Sequence, residues 1–344
     1  MLRPPIEPML AKPVDTLPAP DGCAGGCAYE PKFDGWRCLV FRHRGEVYLQ
    51  SRSGRPLASY FPEIARLCRQ VLPDGVVVDG ELVAWEPVPG RTSFALLQRR
   101  VSAGRRVLQL ARQHPAHLVV FDLLQAGGQP LLGAPLAARR GRLATLLSEA
   151  PEQVALCPQT TKRFEAVEWC TEWATAGVEG LVIKGLTSRY RPGRRGWSKY
   201  RSRTAIEAVV AGVTGTTRAP DALLLGRLDH QDRLRYVGRT HPLTPAQRAQ
   251  LTGLLTPAVR RRRGGGIDHP WPHPLPPSWT GQLGSAEPMP YRQVEPEVVV
   301  EVRVDTAYEY GRWRHPARHV RVRAELHPMQ LPRISADDWG RPYP

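Results

Sequence analysis

Several features that define other protein classes are missing from this chain of 344 residues. No apolar run approaches the ~20 residues of a membrane-spanning helix, which argues against an integral membrane protein. The N-terminal stretch lacks the apolar centre of a signal peptide, so we expect a cytoplasmic protein. The hydrophobic content of 42% is that of a packed fold rather than a disordered chain.

Cysteine is sparse and carries no clear pattern. The chain has six cysteines, namely Cys23, Cys27, Cys38, Cys68, Cys157 and Cys170. In a chain that is not exported, scattered cysteines are expected to be free thiols. Cys23 and Cys27 flank a Gly-rich turn that resembles half of a zinc site. No second Cys/His pair with zinc-ligand spacing follows, so we do not expect zinc.

Lysine is rare although the chain is strongly basic, with Lys+Arg 48 against Asp+Glu 32 and a formal net charge of +16. It occurs only at Lys12, Lys32, Lys162, Lys184 and Lys199. Arginine therefore supplies most of the positive charge. Because arginine stays protonated whereas lysine can become a nucleophile, a lysine kept in this background is a candidate for covalent chemistry.

The excess of positive charge predicts a polyanionic partner, of which nucleic acid is the commonest. A basic surface without a specific partner is the alternative. The charge is concentrated in clusters at residues 99–112, 189–203 and 260–263, which favours nucleic acid.

Residues 1–203 mix strand-like and helix-like segments, which predicts an α+β domain. The predicted strands cover residues 36–43, 46–52, 75–85, 117–124 and 180–185, and the predicted helices cover 60–72, 135–150 and 163–177. The first two strands are expected to pair through a turn at Arg44 and Gly45. Lys32 is expected just before the first strand.

Residues 204–344 have a different character, with short β-type runs separated by turn residues. These runs cover residues 207–215, 222–230, 234–240 and 297–305, with one predicted helix at 245–262. The pattern predicts a small β-barrel of the OB type, with an SH3-like barrel as the alternative. Two domains, 1–203 and 204–344, follow from this reading.

Six short motifs occur in a fixed order. They are K-F-D-G from Lys32, S-R-S-G from Ser51, D-G-E-L from Asp79, F-D-L-L from Phe121, E-G-L-V-I-K from Glu179 and W-S-K-Y-R from Trp197. Each motif alone is weak, but the ordered series resembles the covalent nucleotidyltransferases, which include DNA ligases, RNA ligases and mRNA capping enzymes. Within that group it resembles ATP-dependent DNA ligases, in particular the ligase module of bacterial end-joining enzymes and their stand-alone relatives.

The resemblance implies an enzyme that seals 5′-phosphate/3′-hydroxyl nicks in double-stranded DNA, in repair or end joining. It implies an adenylation domain of antiparallel sheets and helices followed by an OB-fold domain, acting as a monomer alongside separate repair proteins. Lys32 would attack the α-phosphorus of ATP and become AMP-lysine, with Mg²⁺ or Mn²⁺ as the metal. A lysine amine is nucleophilic only when neutral, so we expect nearby cations such as Arg37 and Lys184 to favour proton loss.

The resemblance also implies how the nucleotide is held. Glu30 would accept a hydrogen bond from the adenine amino group, and Phe121 would stack on the base. Arg37 and Glu81 would hold the ribose, and Arg52 would lie near the 5′-phosphate of the nick. The plainer alternative for Phe121 is a core residue of an apolar strand.

Charged residues near the phosphates complete the implied site. Glu81 and Glu179 would bind the metal, because carboxylate oxygens suit hard cations. Lys184 and Lys199 would neutralise the α-phosphate in the transition state. Surface salt bridges are the plainer alternative for the two glutamates.

The end of the chain resembles the last ligase motif, which in the family orients pyrophosphate. Its expected arginines are Arg314, Arg321 and Arg323, with Arg321 and Arg323 on one face of a strand. Glu325 replaces the usual Asp, Leu326 stands where many members have Lys, and Arg201 replaces a frequent Lys. Two other hypotheses remain at this point: an RNA ligase or capping-type guanylyltransferase, and an inactive nucleic-acid-binding protein of the same fold.

Overall fold

The computed structural model describes residues 1–86, 90–174, 176–258, 269–280, 287–305, 308–309 and 311–334. The chain divides into two compact units, Met1–Ser202 and Arg203–Pro344. Among the described residues, no helix has the length and apolar character that crossing a bilayer requires. The basic cluster at residues 260–263 lies outside the described residues.

The described residues of the first unit form eleven strands and five α-helices. The strands are β1 (Leu10–Val14), β2 (Cys27–Phe33), β3 (Trp36–His43), β4 (Glu46–Ser51), β5 (Val76–Glu86), β6 (Arg91–Thr92), β7 (Ala116–Ala126), β8 (Gln129–Pro130), β9 (Val154–Leu156), β10 (Val178–Gly185) and β11 (Arg195–Arg201). The helices are α1 (Pro62–Val71), α2 (Phe94–Ser102), α3 (Val107–Gln113), α4 (Leu136–Leu146) and α5 (Arg163–Glu172). This composition confirms the predicted α+β class.

These strands form two sheets. The smaller sheet has the order β1-β11-β10-β2, and the larger has the order β4-β3-β5-β7-β8, with β6 beside β5 and β9 beside β7. The predicted hairpin is present, with β3 and β4 paired in antiparallel register from Cys38 opposite Ser51 to His43 opposite Glu46.

The alternation of side chains along β3 explains how the two sheets pack. Cys38 and Val40 belong to the core beneath helix α1, whereas Leu39 and Phe41 belong to a second core shared with Trp197 of the smaller sheet. Because neighbouring strand residues point to opposite faces, β3 is buried on both sides. The smaller sheet therefore faces the side of the larger sheet that the helices leave open.

The second unit contains the remaining elements. They are β12 (Thr204–Gly215), β13 (Pro220–Leu228), β14 (Leu234–Arg239), α6 (Pro245–Leu251), α7 (Pro277–Thr280), β15 (Arg292–Val304), β16 (Tyr308–Glu309), β17 (Arg312–Trp313) and β18 (Arg318–Val322). Five strands form one sheet in the order β14-β13-β12-β15-β18. An isolated parallel bridge between Thr240 and Ala317 links the residues next to the two outer strands.

Three predictions about local structure are wrong. The helix predicted at residues 245–262 ends at Leu251, because Thr252 is extended with ψ 124°; residues 259–262 lie outside the described part of the chain. Lys32 lies inside strand β2 rather than before the first strand. Cys23 and Cys27 form a disulfide, because the turn between them brings their Cα atoms to 5.0 Å. The other four cysteines are free and buried.

Candidate active site

Lys32, the lysine predicted to react, lies on β2. Glu30 precedes it by two residues and lies on the same face of the strand. The Lys32 side chain is 19% exposed and forms an ion pair with Glu179, which is 2% exposed. Glu179 belongs to the neighbouring strand β10, 147 residues away in sequence. The fold thus holds the Lys32 amine against a buried carboxylate.

The position of Glu179 depends on an irregularity in β10. The pairing of β10 with β2 shifts register between Val178 and Leu181, and Gly180 has a φ of +146°. A Cβ atom at residue 180 would lie 2.1 Å from the carbonyl oxygen of Tyr200. Glycine is therefore required here, both for its conformation and for the close approach of β11. Arg201 of β11 lies 3.8 Å from the same Glu179 oxygen, which keeps a positive charge at the position of the usual lysine.

A second ion pair crosses the same two strands. Lys184 Nζ lies 2.6 Å from Glu30 Oε2, and the two side chains are 1% and 2% exposed. The other carboxylate oxygen of Glu30 accepts a hydrogen bond of 2.8 Å from Gln159 Nε2. The sequence reasoning did not single out Gln159, because nothing in its local sequence reveals its contact with β2.

Two aromatic rings lie beside these charges. Lys184 Nζ is 4.5 Å from the Phe121 ring centre and 4.3 Å from that of Trp197. The Arg37 guanidinium lies over the same rings, at 4.6 and 5.2 Å. Cations over aromatic faces are attracted by the ring quadrupole. Phe121 is only partly buried and packs against two core clusters.

Arg37 is anchored by a network that the motif analysis missed. Its Nε and Nη2 atoms donate to the two oxygens of Asp79, at 2.5 and 2.6 Å. Tyr190 donates to Asp79 at 2.7 Å and accepts from the backbone N–H of Met9 at 2.9 Å. Burial lowers the pKa of Arg37, but the paired Asp79 outweighs it and raises that pKa overall. Asp79 is the first residue of the D-G-E-L motif, and that motif was the only sequence feature that pointed to it.

Glu81 lies opposite Arg37 in the pairing of β3 with β5. Burial raises the pKa of Glu81 to about 7, against the opposing effects of Arg37 and Lys32. These charges place Glu81 within electrostatic reach of the reactive lysine. Gly35 allows its backbone to lie close to β5, because a Cβ atom at residue 35 would lie 2.1 Å from the carbonyl oxygen of Leu82. Glycine is therefore required at residue 35 for the contact with β5.

Lys199 completes the cationic side of the site. It lies opposite Val182 in the pairing of β11 with β10. Burial lowers its pKa, and Arg201, Lys32 and Arg52 lower it further. Arg52 itself is exposed in the turn after β4. The structure thus brings Lys32, Lys199 and Arg52 into one electropositive region.

Comparison with known proteins identifies the family. The model of the ATP dependent DNA ligase domain matches residues 8–201. The chain belongs to the ATP-dependent DNA ligase family. The ligase is 34% identical to DNA ligase C2 of Mycolicibacterium smegmatis over 94% of its own length and 91% of that protein. It is 33% identical to DNA ligase C of Mycobacterium tuberculosis over 95% and 92%, respectively.

A solved structure agrees with these relatives. The crystal structure of the ligase domain from M. tuberculosis LigD matches with a TM-score of 0.50 and 28% identity, covering 96% of this ligase and 98% of that chain. The mixed α+β nucleotidyltransferase fold of the ligase is shared with that domain.

The arginines of the last motif lie in the second unit of the ligase. Arg321 Nε contacts Glu301 at 2.9 Å, and Arg323 Nη1 lies 3.6 Å from the same carboxylate oxygen. Their shared partner places both side chains on one face, as the alternation predicted. Arg323 also contacts Glu207 at 2.5 Å. Arg314 follows β17 and lies apart from this strand in sequence.

Proposed function

We propose that this ATP-dependent DNA ligase seals 5′-phosphate/3′-hydroxyl nicks in double-stranded DNA by carrying AMP on Lys32. The observation that supports this most directly is the pairing of Lys32 with the buried Glu179, on the same two strands that pair Glu30 with Lys184 beside Phe121. A side chain held in place on a strand has its reacting atom already positioned, which lowers the entropic cost of attack.

The proposed reaction has three transfers. The Nζ atom of Lys32 releases a proton to solvent and forms a bond to the α-phosphorus of ATP, while the bond to the bridging oxygen breaks and pyrophosphate leaves. The 5′-phosphate of the nick then displaces Lys32 from AMP, and the leaving amine takes up a proton. Finally the 3′-hydroxyl releases its proton to solvent and attacks the activated 5′-phosphate, the phosphodiester forms and AMP leaves. Arginine cannot replace Lys32, because its guanidinium stays protonated.

The roles of the remaining residues follow from the resemblance to the ligase family. Glu30 accepts from the adenine amino group, and Phe121 stacks on the base. Arg37, fixed by Asp79, and Glu81 hold the ribose. Lys184 and Lys199 neutralise the α-phosphate, for which a cation-rich and partly buried site is suited.

The metal assignment rests on the two carboxylates near Lys32. Glu179 contacts Lys32 directly, and the charge of Lys32 acts on Glu81. Two carboxylates suit Mg²⁺ or Mn²⁺, hard cations that are commonly completed by water and substrate phosphates. No cluster of three or more His, Cys, Asp or Glu side chains occurs among the described residues, which agrees with a metal held jointly with the nucleotide. The metal would supply positive charge beside the phosphate.

We propose that residues 204–344 form the OB-fold domain and that Arg314 and Arg321 orient the leaving pyrophosphate. The first observation that supports the OB fold is the five-stranded sheet. The second is the bridge between Thr240 and Ala317, which carries hydrogen bonds of 2.9 Å from Ala317 N to Arg239 O and from His241 N to Ala317 O.

The test is incubation with α-labelled ATP and Mg²⁺ or Mn²⁺, followed by denaturing electrophoresis. We expect a labelled band for the wild type and none for Lys32→Ala or Lys32→Arg, and we expect nicked duplex DNA to remove the label while the nick is sealed. Label on Lys32→Arg would exclude Lys32 as the nucleophile. Label from GTP alone would indicate a capping-type enzyme, and sealing of nicked RNA but not DNA would indicate an RNA ligase.

A further inference from the structure

A short connection, Cys157–Thr160, joins the two sheets of the first unit beside the pocket. At one end the Cys157 N–H donates to the carbonyl oxygen of Val120 on β7 at 2.8 Å. At the other end Thr160 and Tyr29 of β2 exchange two backbone hydrogen bonds of 2.8 and 3.0 Å. The connection is therefore fixed to both walls of the site, next to Phe121 on one side and Glu30 on the other.

Gln159 is the residue of this connection whose side chain reaches Glu30. Its Nε2 atom donates to Glu30 Oε1 at 2.8 Å, while Lys184 takes Glu30 Oε2 at 2.6 Å. Glu30 is 2% exposed, so protein groups rather than bulk water set its orientation. An ionised carboxylate has about four acceptor positions, so each oxygen keeps capacity for a further donor.

We infer that Gln159 is a positioning residue for base selection, which rests on the proposed function of Glu30. By holding one oxygen of Glu30, the amide of Gln159 fixes the direction of the remaining acceptor positions. A base with an amino group at position 6 supplies the donor they need, whereas guanine presents an oxygen there and sets two acceptors against each other. A site built to bond an N–H group rejects an analogue that lacks it, because its own polar group is left unpaired.

The side-chain amide suits this role better than a charged donor would. Lys184 already supplies the positive charge, and a second cation would compete with the base for the carboxylate. The backbone bridge at Thr160, one residue away, holds Gln159 in place without help from the nucleotide. The orientation of Glu30 is thus set before the base arrives.

The experiment compares two substrates on the full-length chain. One is α-labelled ATP, and the other is α-labelled purine riboside triphosphate, in which hydrogen replaces the 6-amino group. The rate of lysine labelling per substrate concentration is measured for the wild type, Gln159→Met and Gln153→Met. Gln159→Met keeps the length of the side chain but removes the hydrogen-bond donor. Gln153 is the matched control, because it lies in the same connection between α4 and α5, before β9. The ratio of the rates with the two substrates, measured on one preparation of a variant, does not depend on what fraction of that variant is folded.

We expect Gln159→Met to lower the preference for ATP about tenfold, in line with the loss of one hydrogen bond to a charged group. The rate with purine riboside triphosphate should change little, and Gln153→Met should retain the wild-type preference. An unchanged preference in Gln159→Met, or an equal fall for both substrates, would overturn the inference. Absence of any wild-type label would instead reject the proposed function itself.

Discussion

Arg37 and Asp79 form a bidentate ion pair across neighbouring strands, with nitrogen–oxygen distances of 2.5 and 2.6 Å. Asp79 is fully buried, and the Arg37 side chain is 18% exposed. Such a pair gives geometric specificity, because two parallel hydrogen bonds fix the guanidinium plane. Asp79 therefore sets the direction in which Arg37 faces the pocket.

Removing Asp79 should destabilise the fold more than removing an exposed acidic partner. We expect Asp79→Ala to lower the free energy of unfolding by about 3 kcal/mol, because it breaks a pair whose carboxylate is fully buried and leaves the half-buried Arg37 cation uncompensated. The control is Glu46→Ala, whose partner Arg69 is 54% exposed, and its cost should be under about 0.5 kcal/mol. Urea denaturation followed by tryptophan fluorescence measures both. Equal losses would mean that the buried pair adds little.

Gly35→Ala should damage both folding and labelling. The added methyl group would lie 2.1 Å from the Leu82 oxygen and 2.9 Å from Glu81 Cγ, so the segment between Lys32 and Arg37 must move. Overpacking of this kind costs about 1–3 kcal/mol. Gly141→Ala is the control, because no atom lies within 4 Å of a Cβ there and helix α4 should gain about 0.5–1 kcal/mol. Melting temperatures and the rate of lysine labelling check this, and a harmless Gly35→Ala would contradict it.

The sequence predicted the elements whose pattern is local. Alternating apolar residues in β3 and β4 and the helical spacing of α1 were sufficient. Helices α2 and α3 were missed, because their many arginines, including the buried Arg100, hide the apolar face. The disulfide was missed because it depends on the geometry of the turn and not on the spacing of the cysteines.

The sequence predicted which residues belong to the candidate site, but it did not predict which of them pair with each other. The ordered motifs supplied Lys32, Glu179 and Lys184, but their pairing depends on the register of β2 and β10 and on the bulge at Gly180. Gln159 follows an ordinary loop and lies 129 residues from its partner Glu30. Contacts of this kind arise only when the chain folds.

The half-buried Glu81 predicts a pH-dependent stability difference. Its pKa is raised from 4.5 to about 7, so the protonated form stabilises the fold. That contribution is fully present below pH 4.5 and is lost as the pH rises through about 7. Glu81→Gln cannot ionise, so its stability relative to wild type should improve between pH 5 and pH 8 by on the order of 2 kcal/mol. Calorimetry at the two pH values measures this, and a constant difference would show that Glu81 does not titrate in this range.

The exposed arginines around α3 predict the salt dependence of DNA binding. Residues 90–114 contain no Asp or Glu, and Arg105 and Arg106 are exposed. If both contact phosphates, the double substitution Arg105→Gln/Arg106→Gln should weaken binding of nicked duplex DNA and reduce the slope of log K against log salt by about 1–2. Arg66→Gln/Arg69→Gln on α1 is the control, because it removes the same charge from a helix that has Glu46 as a neighbour. Fluorescence anisotropy from low to physiological salt measures both slopes. The same reduction in both variants would mean that total charge, and not the surface around α3, attracts the DNA.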